Sequence, residues 1–184
     1  MSNRTLIWIA LAVLLFWWVG AYNRLMRLRA ALRKAFEALD QQWTREVDLV
    51  RASLPSAGDA QDVPGRVMDD IDALWAGLGS AANQLAVSLG AARARPFDAE
   101  AVAALATARQ VLLMAWQRVQ DDGDDLAGAA MPQTLQVQWQ ALSVQSALAT
   151  EEFNRAVTNY NDAIAQFPAL LLAQLFHFAP ARPL

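Results

Sequence analysis

The chain has 184 residues, no cysteine, a single histidine (His177) and a formal net charge of −3. Without cysteine there is no disulfide framework, thiolate zinc site or iron–sulfur centre, and one histidine cannot build a His-based metal site or a Ser-His-Asp or Cys-His arrangement. The charge is uneven: residues 24–34 carry five cations and no acid, and residues 35–184 sum to −9, an acidic body that makes a poor nucleic-acid ligand.

Residues 6–22, LIWIALAVLLFWWVGAY, lie within nineteen uncharged residues between Arg4 and Arg24. As a helix those nineteen reach roughly 28 Å, enough to cross a ~30 Å hydrocarbon core. A removable signal peptide would put its charges ahead of the apolar run and end on a small-x-small site. Here only Arg4 and the amino terminus precede the run, and no A-x-A pattern comes after Trp17 and Trp18, whose indoles suit an interfacial anchor. A core helix would carry a polar stripe, and this stretch is apolar all round. The expectation is a short tail (1–5) and one transmembrane helix (6–23). Arg24, Arg27, Arg29, Arg33 and Lys34 behind it place the rest in the cytoplasm and form a basic collar for the anionic headgroups of the lipid bilayer.

Alanine and leucine dominate the chain beyond the span and β-branched runs are missing, so it reads as all-α, the span continuing into an antiparallel four-helix bundle (24–168). In the first bundle helix, about 24–54, Leu25, Leu28, Leu32, Phe36, Leu39, Trp43, Val47, Val50 and Leu54 repeat every eleven residues. A nearly straight helix keeps that repeat on one face, which makes span and helix one rod. Pro55 ends it, and residues 56–65 form a loop. The second helix, about 66–94, presents Val67, Ile71, Leu74, Leu78, Ala82, Leu85 and Leu89. Its Gly77, Gly79 and Gly90 either weaken it or permit close packing.

Arg95-Pro96-Phe97-Asp98 turns the chain, with Asp98 as N-cap. The third helix, about 99–120, faces inward through Val102, Leu105, Leu112, Trp116 and Val119 and gives way at residues 121–132. The acids there, Asp121, Asp122, Asp124 and Asp125, lack the ligand alternation and distal glutamate of a calcium loop, which leaves a solvated acidic loop. The fourth helix, about 133–167, alternates steps of four and three from Leu135 to Phe167, a coiled-coil-like seam. It returns toward the membrane, so the apolar C-terminal segment (169–184) is expected at the open end of the bundle or in the headgroup boundary.

Trp18-Val19-Gly20-Ala21-Tyr22-Asn23-Arg24-Leu25, then Leu39-Asp40 and Arg45-Glu46-Val47-Asp48-Leu49, resemble the opening of the LemA family. Glu152-Phe153-Asn154-Arg155-Ala156-Val157-Thr158-Asn159-Tyr160-Asn161 with Phe167-Pro168 is similar to its closing motif. Phe153 stands where tyrosine is usual, and residues 60–131 match nothing in the pattern, as in a divergent member. The resemblance implies a bacterial inner-membrane protein with an outer N-terminus, one span and a cytoplasmic helical domain of poorly defined role.

The candidate structural or interaction residues are Tyr22, Asn23, Asp40, Asp48, Phe153, Asn154, Tyr160, Asn161 and Pro168. Phe153 and Tyr160 lie on the seam, seven apart, with Asn154 and Asn161 one position round. Two readings stay open. In one, the two Tyr-Asn pairs face each other across the bundle and fix helix register. In the other, they line a polar pocket for a ligand or partner segment. Asp40 and Asp48 fall outside the apolar stripe and are expected to face water, and Trp75, beside the Leu74 stripe, is either an exposed contact or, as is more common for tryptophan, a core residue. No catalytic residue, metal or cofactor is assigned. The function expected is a non-catalytic scaffold or adaptor for an unidentified protein partner. The alternatives are membrane organisation by self-association as a homo-oligomer, an envelope-stress sensor and, remotely, an unfamiliar hydrolase.

Overall fold

A computed structural model describes residues 3–54, 68–125 and 131–184, and no strand occurs among them. Among the described residues five helices succeed one another: α1 (Asn3–Ser53), α2 (Met68–Ala94), α3 (Ala99–Asp125), α4 (Gln133–Ala165) and α5 (Ala169–Leu175). The loop expected at residues 56–65 lies outside the described residues.

The 51 residues of α1 form one unbroken helix, roughly 75 Å long. It lives in two environments. Phe16 is 81% exposed, as are Trp8, Val13 and Leu15 for the most part, whereas Leu25, Leu32, Phe36, Leu39, Trp43, Val47 and Val50 are buried. The eleven-residue repeat keeps that second set on one side, and α4 packs along it. Phe36 meets Phe153 edge-on at 5.9 Å between ring centres.

α3 packs along α2, and the two helices bury small residues, Ala81, Ala82 and Ala92 on α2 and Ala108 on α3. α1 joins α2 through polar ties: Arg93 donates to Asp40 at 2.8 Å, and Arg51 to Asn83 at 3.0 Å. α3 and α4 stay further apart. Trp116 stacks on Trp139 across the gap, with 4.0 Å between centres and 12° between planes.

Several expectations change. α3 continues through Gly123 to Asp125 instead of ending at 120, because one glycine costs about 1 kcal/mol and an established helix absorbs it. α4 stops at Ala165, two residues early, since Pro168 disfavours helical backbone at the residue before it. Phe167 therefore leaves the seam; it is 66% exposed and packs against Trp17, 4.9 Å between centres. Trp75 is not an exposed contact, being 9% accessible and part of the core. Gly79 permits close packing, since a Cβ there would meet Leu54 at 3.0 Å, whereas Gly77 and Gly90 face open space.

The C-terminal apolar segment divides its faces. Ala169, Leu172 and Ala173 of α5 are buried, while Leu170, Leu171 and Leu175 are exposed. Phe176, just beyond it, lies 5.8 Å from the Tyr22 ring. α5 thus sits at the foot of the bundle, beside the apolar end of α1.

Candidate functional site

Residues 179–184 read Ala-Pro-Ala-Arg-Pro-Leu. Pro180 and Pro183 cannot donate a main-chain hydrogen bond, and each biases the residue before it toward extended backbone. The residues that follow them, Ala181 and Leu184, both donate their N–H to side chains of α4. Asn161 Nδ2 donates to the Ala181 carbonyl at 2.8 Å, and the Ala181 N–H donates to Asn161 Oδ1 at 2.9 Å. Asn154 repeats the pattern with Leu184, at 2.9 and 2.8 Å. Tyr160 Oη donates to the Ala179 carbonyl at 3.2 Å. The tail therefore runs antiparallel to α4, clipped at two rungs.

Aromatic and cationic groups wall the base of this clamp. The Arg29 guanidinium lies over the Phe97 ring at 4.5 Å and the Phe178 ring at 5.3 Å, with Nε buried and without a hydrogen-bond partner. Ring faces attract the charge that solvent no longer covers. Phe97, from the turn between α2 and α3, also lies 6.1 Å from Tyr160. Burial pushes the Tyr160 hydroxyl above its usual range, opposed by the Arg29 charge.

Asn161 thus commits its amide to Ala181, and Tyr22 turns to Phe176, so the two Tyr-Asn pairs do not face each other. Asn23 is exposed. Phe153 is a core residue, and Pro168 is the half-buried N-cap of α5. Asp40 does not face water freely: it holds Arg93, which also donates to Thr44 Oγ1 at 2.9 Å. Asp48 is exposed, 4.0 Å from Arg51. Within the collar, Arg24, Arg27, Arg33 and Lys34 are exposed, and Arg29 is drawn into the clamp.

A second polar centre lies deeper. Glu46 is fully buried and paired with Arg109 of α3, whose Nη2 donates to Oε1 at 2.9 Å and whose Nη1 donates to Oε2. Ser146 of α4 is buried beside the same carboxylate, and Trp43 and Trp139 flank the guanidinium at 5.3 and 5.9 Å. Loss of water raises the Glu46 pKa, with the Arg109 charge opposing. This pair went unseen in the sequence, where its signal was spacing: Glu46 is three residues past Trp43 and four before Val50, and Arg109 is four past Leu105 and three before Leu112. Both spacings put a charge on the inner face of a helix. Among the described residues, no three His, Cys, Asp or Glu side chains converge as metal ligands would.

A family model described as LemA family matches residues 74–184. No curated protein and no solved structure matches the chain. The matched region holds the tail and both asparagines of the clamp, α4, α3 and most of α2, including residues in which the sequence alone showed no likeness. α1 lies outside it.

Proposed function

The chain belongs to the LemA family, and from that premise we propose that it is a membrane-anchored, non-catalytic scaffold holding partner proteins at the cytoplasmic face of a bacterial inner membrane. One observation carries this reading. Along α1 the large apolar side chains from Ile7 to Val19 are exposed except for half-buried Trp18, whereas Leu25, Leu32, Phe36, Leu39, Trp43, Val47 and Val50 are buried, so one rod presents a lipid-facing surface and then organises a core. It is long and apolar enough to cross a membrane. The exposed Arg24, Arg27, Arg33 and Lys34 directly behind it support a cytoplasmic bundle, each cation near an anionic surface contributing about 1 kcal/mol. The inner polar groups support holding over turnover: Glu46 and Arg109 neutralise each other, and Asn154 and Asn161 bind main chain.

A photo-crosslinking residue at Val137, on the exposed side of α4, tests the reading in native membranes. Reproducible capture of one other protein is expected. A ladder containing only this chain would contradict it and favour self-association. A specific observation favours that second reading: Val137, Val144 and Leu148 are exposed at coiled-coil spacing, beside a groove of about 920 Å³ floored by Trp116 and Trp139.

A further inference from the structure

Asn154 and Asn161 are two helical turns apart, about 10.5 Å along α4 at 1.5 Å per residue. The residues they hold, Ala181 and Leu184, are three apart, which is about 9 to 10 Å in a polyproline II or extended chain. The ladder on the helix therefore has nearly the repeat of an extended peptide. In polyproline II, residues three apart also share a face. Pro180-Ala181-Arg182-Pro183-Leu184 repeats proline with that period, and each proline precedes a clamped residue.

All four bonds go to backbone, and none reads a side chain. Shape selects at one rung: Ala181 is 6% exposed, so the residue opposite Asn161 must be small, whereas Arg182 and Pro183 are exposed. The tether to α5 is not at ease. His177 has φ 53, a left-handed conformation that strains a non-glycine residue. Besides the rungs, the Tyr160 bond and the packing of Phe178, Ala181 and Leu184 on the core, attachment to α5 holds the tail at a high effective concentration.

We propose that the Asn154–Asn161 ladder is a peptide-binding site, occupied at rest by residues 179–184 of the same chain, that accepts a proline-rich extended segment of a partner protein with a small residue opposite Asn161. The proposal rests on the scaffold reading and gives its partner a chemistry. An incoming segment takes over the same four main-chain bonds, and the displaced tail is freed into water.

The test uses the full chain in lipid nanodiscs and a fluorescent peptide of residues 178–184, monitored by anisotropy. Ala181→Trp no longer fits its rung and empties the site, so this variant should bind the peptide at least tenfold more tightly than the unmodified chain. Adding Asn154→Leu and Asn161→Leu should remove that gain, and a peptide carrying tryptophan at the Ala181 position should not bind. A variant ending after Phe178 serves if Ala181→Trp melts without cooperativity. Equal peptide binding by the unmodified and emptied chains, or binding that survives loss of both asparagines, would overturn the site. Capture of a protein at Val137 alongside such a result would leave the scaffold reading standing, and peptide binding without capture would do the reverse.

Discussion

Glu46 ties stability to pH through a single carboxyl. Its folded pKa is raised because burial removes water faster than Arg109 compensates, so the folded chain binds a proton more readily than the unfolded one. Its contribution is therefore complete below the ordinary value of 4.5 and is lost as the pH rises through the folded value. Melting curves of the unmodified chain should fall, relative to Glu46→Gln, as the pH is raised from about 4.5 toward 7; parallel curves would show that the carboxyl has the same pKa in the folded and unfolded chain. Arg109→Met strands the carboxylate and should cost about 3 kcal/mol at neutral pH, most of it regained when Glu46→Leu is added. A double-variant loss equal to the sum of the Arg109→Met and Glu46→Leu losses would show the pair to be uncoupled. At His177, replacement by glycine relieves the left-handed backbone that caps α5, and denaturant melts should show a gain of about 0.5 to 1 kcal/mol. The residues of the clamp were visible in the sequence as amides seven apart. Their partner was not, because an asparagine side chain pairs with any backbone and leaves no matching pattern in the segment it holds.

Among the elements, α1 was legible because its eleven-residue repeat runs for more than two periods with only three- and four-residue steps. Ends were harder. Gly123 reads as a breaker but is carried through by the helix already formed, while Pro168 acts backward on a seam whose periodicity reaches Phe167. The glycines of α2 separate by what surrounds them. Gly77→Ala and Gly90→Ala meet open space and should each stabilise the chain by about 1 kcal/mol, whereas Gly79→Ala presses on Leu54 and should forfeit that gain. Chemical denaturation of the three variants checks this, and a full gain at Gly79 would mean that α1 and α2 are not closely packed there. α5 shows why a short apolar segment resists a single reading. Its alanines and Leu172 face the bundle, and its remaining leucines face outward.

For the whole molecule, antiparallel order was legible from helix lengths and from the tight turn at residues 95–98, and the ties Arg93–Asp40 and Phe36–Phe153 carry that register. Hidden from the sequence was that the chain turns back once more, so that the C-terminal end of α4, α5 and the tail form one assembly beside Trp17 and Tyr22. On the proposed reading α1 holds the bundle at a lipid surface, with the clamp at its foot. The most direct test places an environment-sensitive fluorophore at Leu14, Leu171 or Val87 in liposomes containing lipid-borne quenchers set at graded depths. Deep quenching is predicted at Leu14, shallow quenching at Leu171 beside the headgroups and none at exposed Val87. A Leu14 probe insensitive to every quencher, or a Val87 probe quenched as strongly as Leu14, would contradict this arrangement.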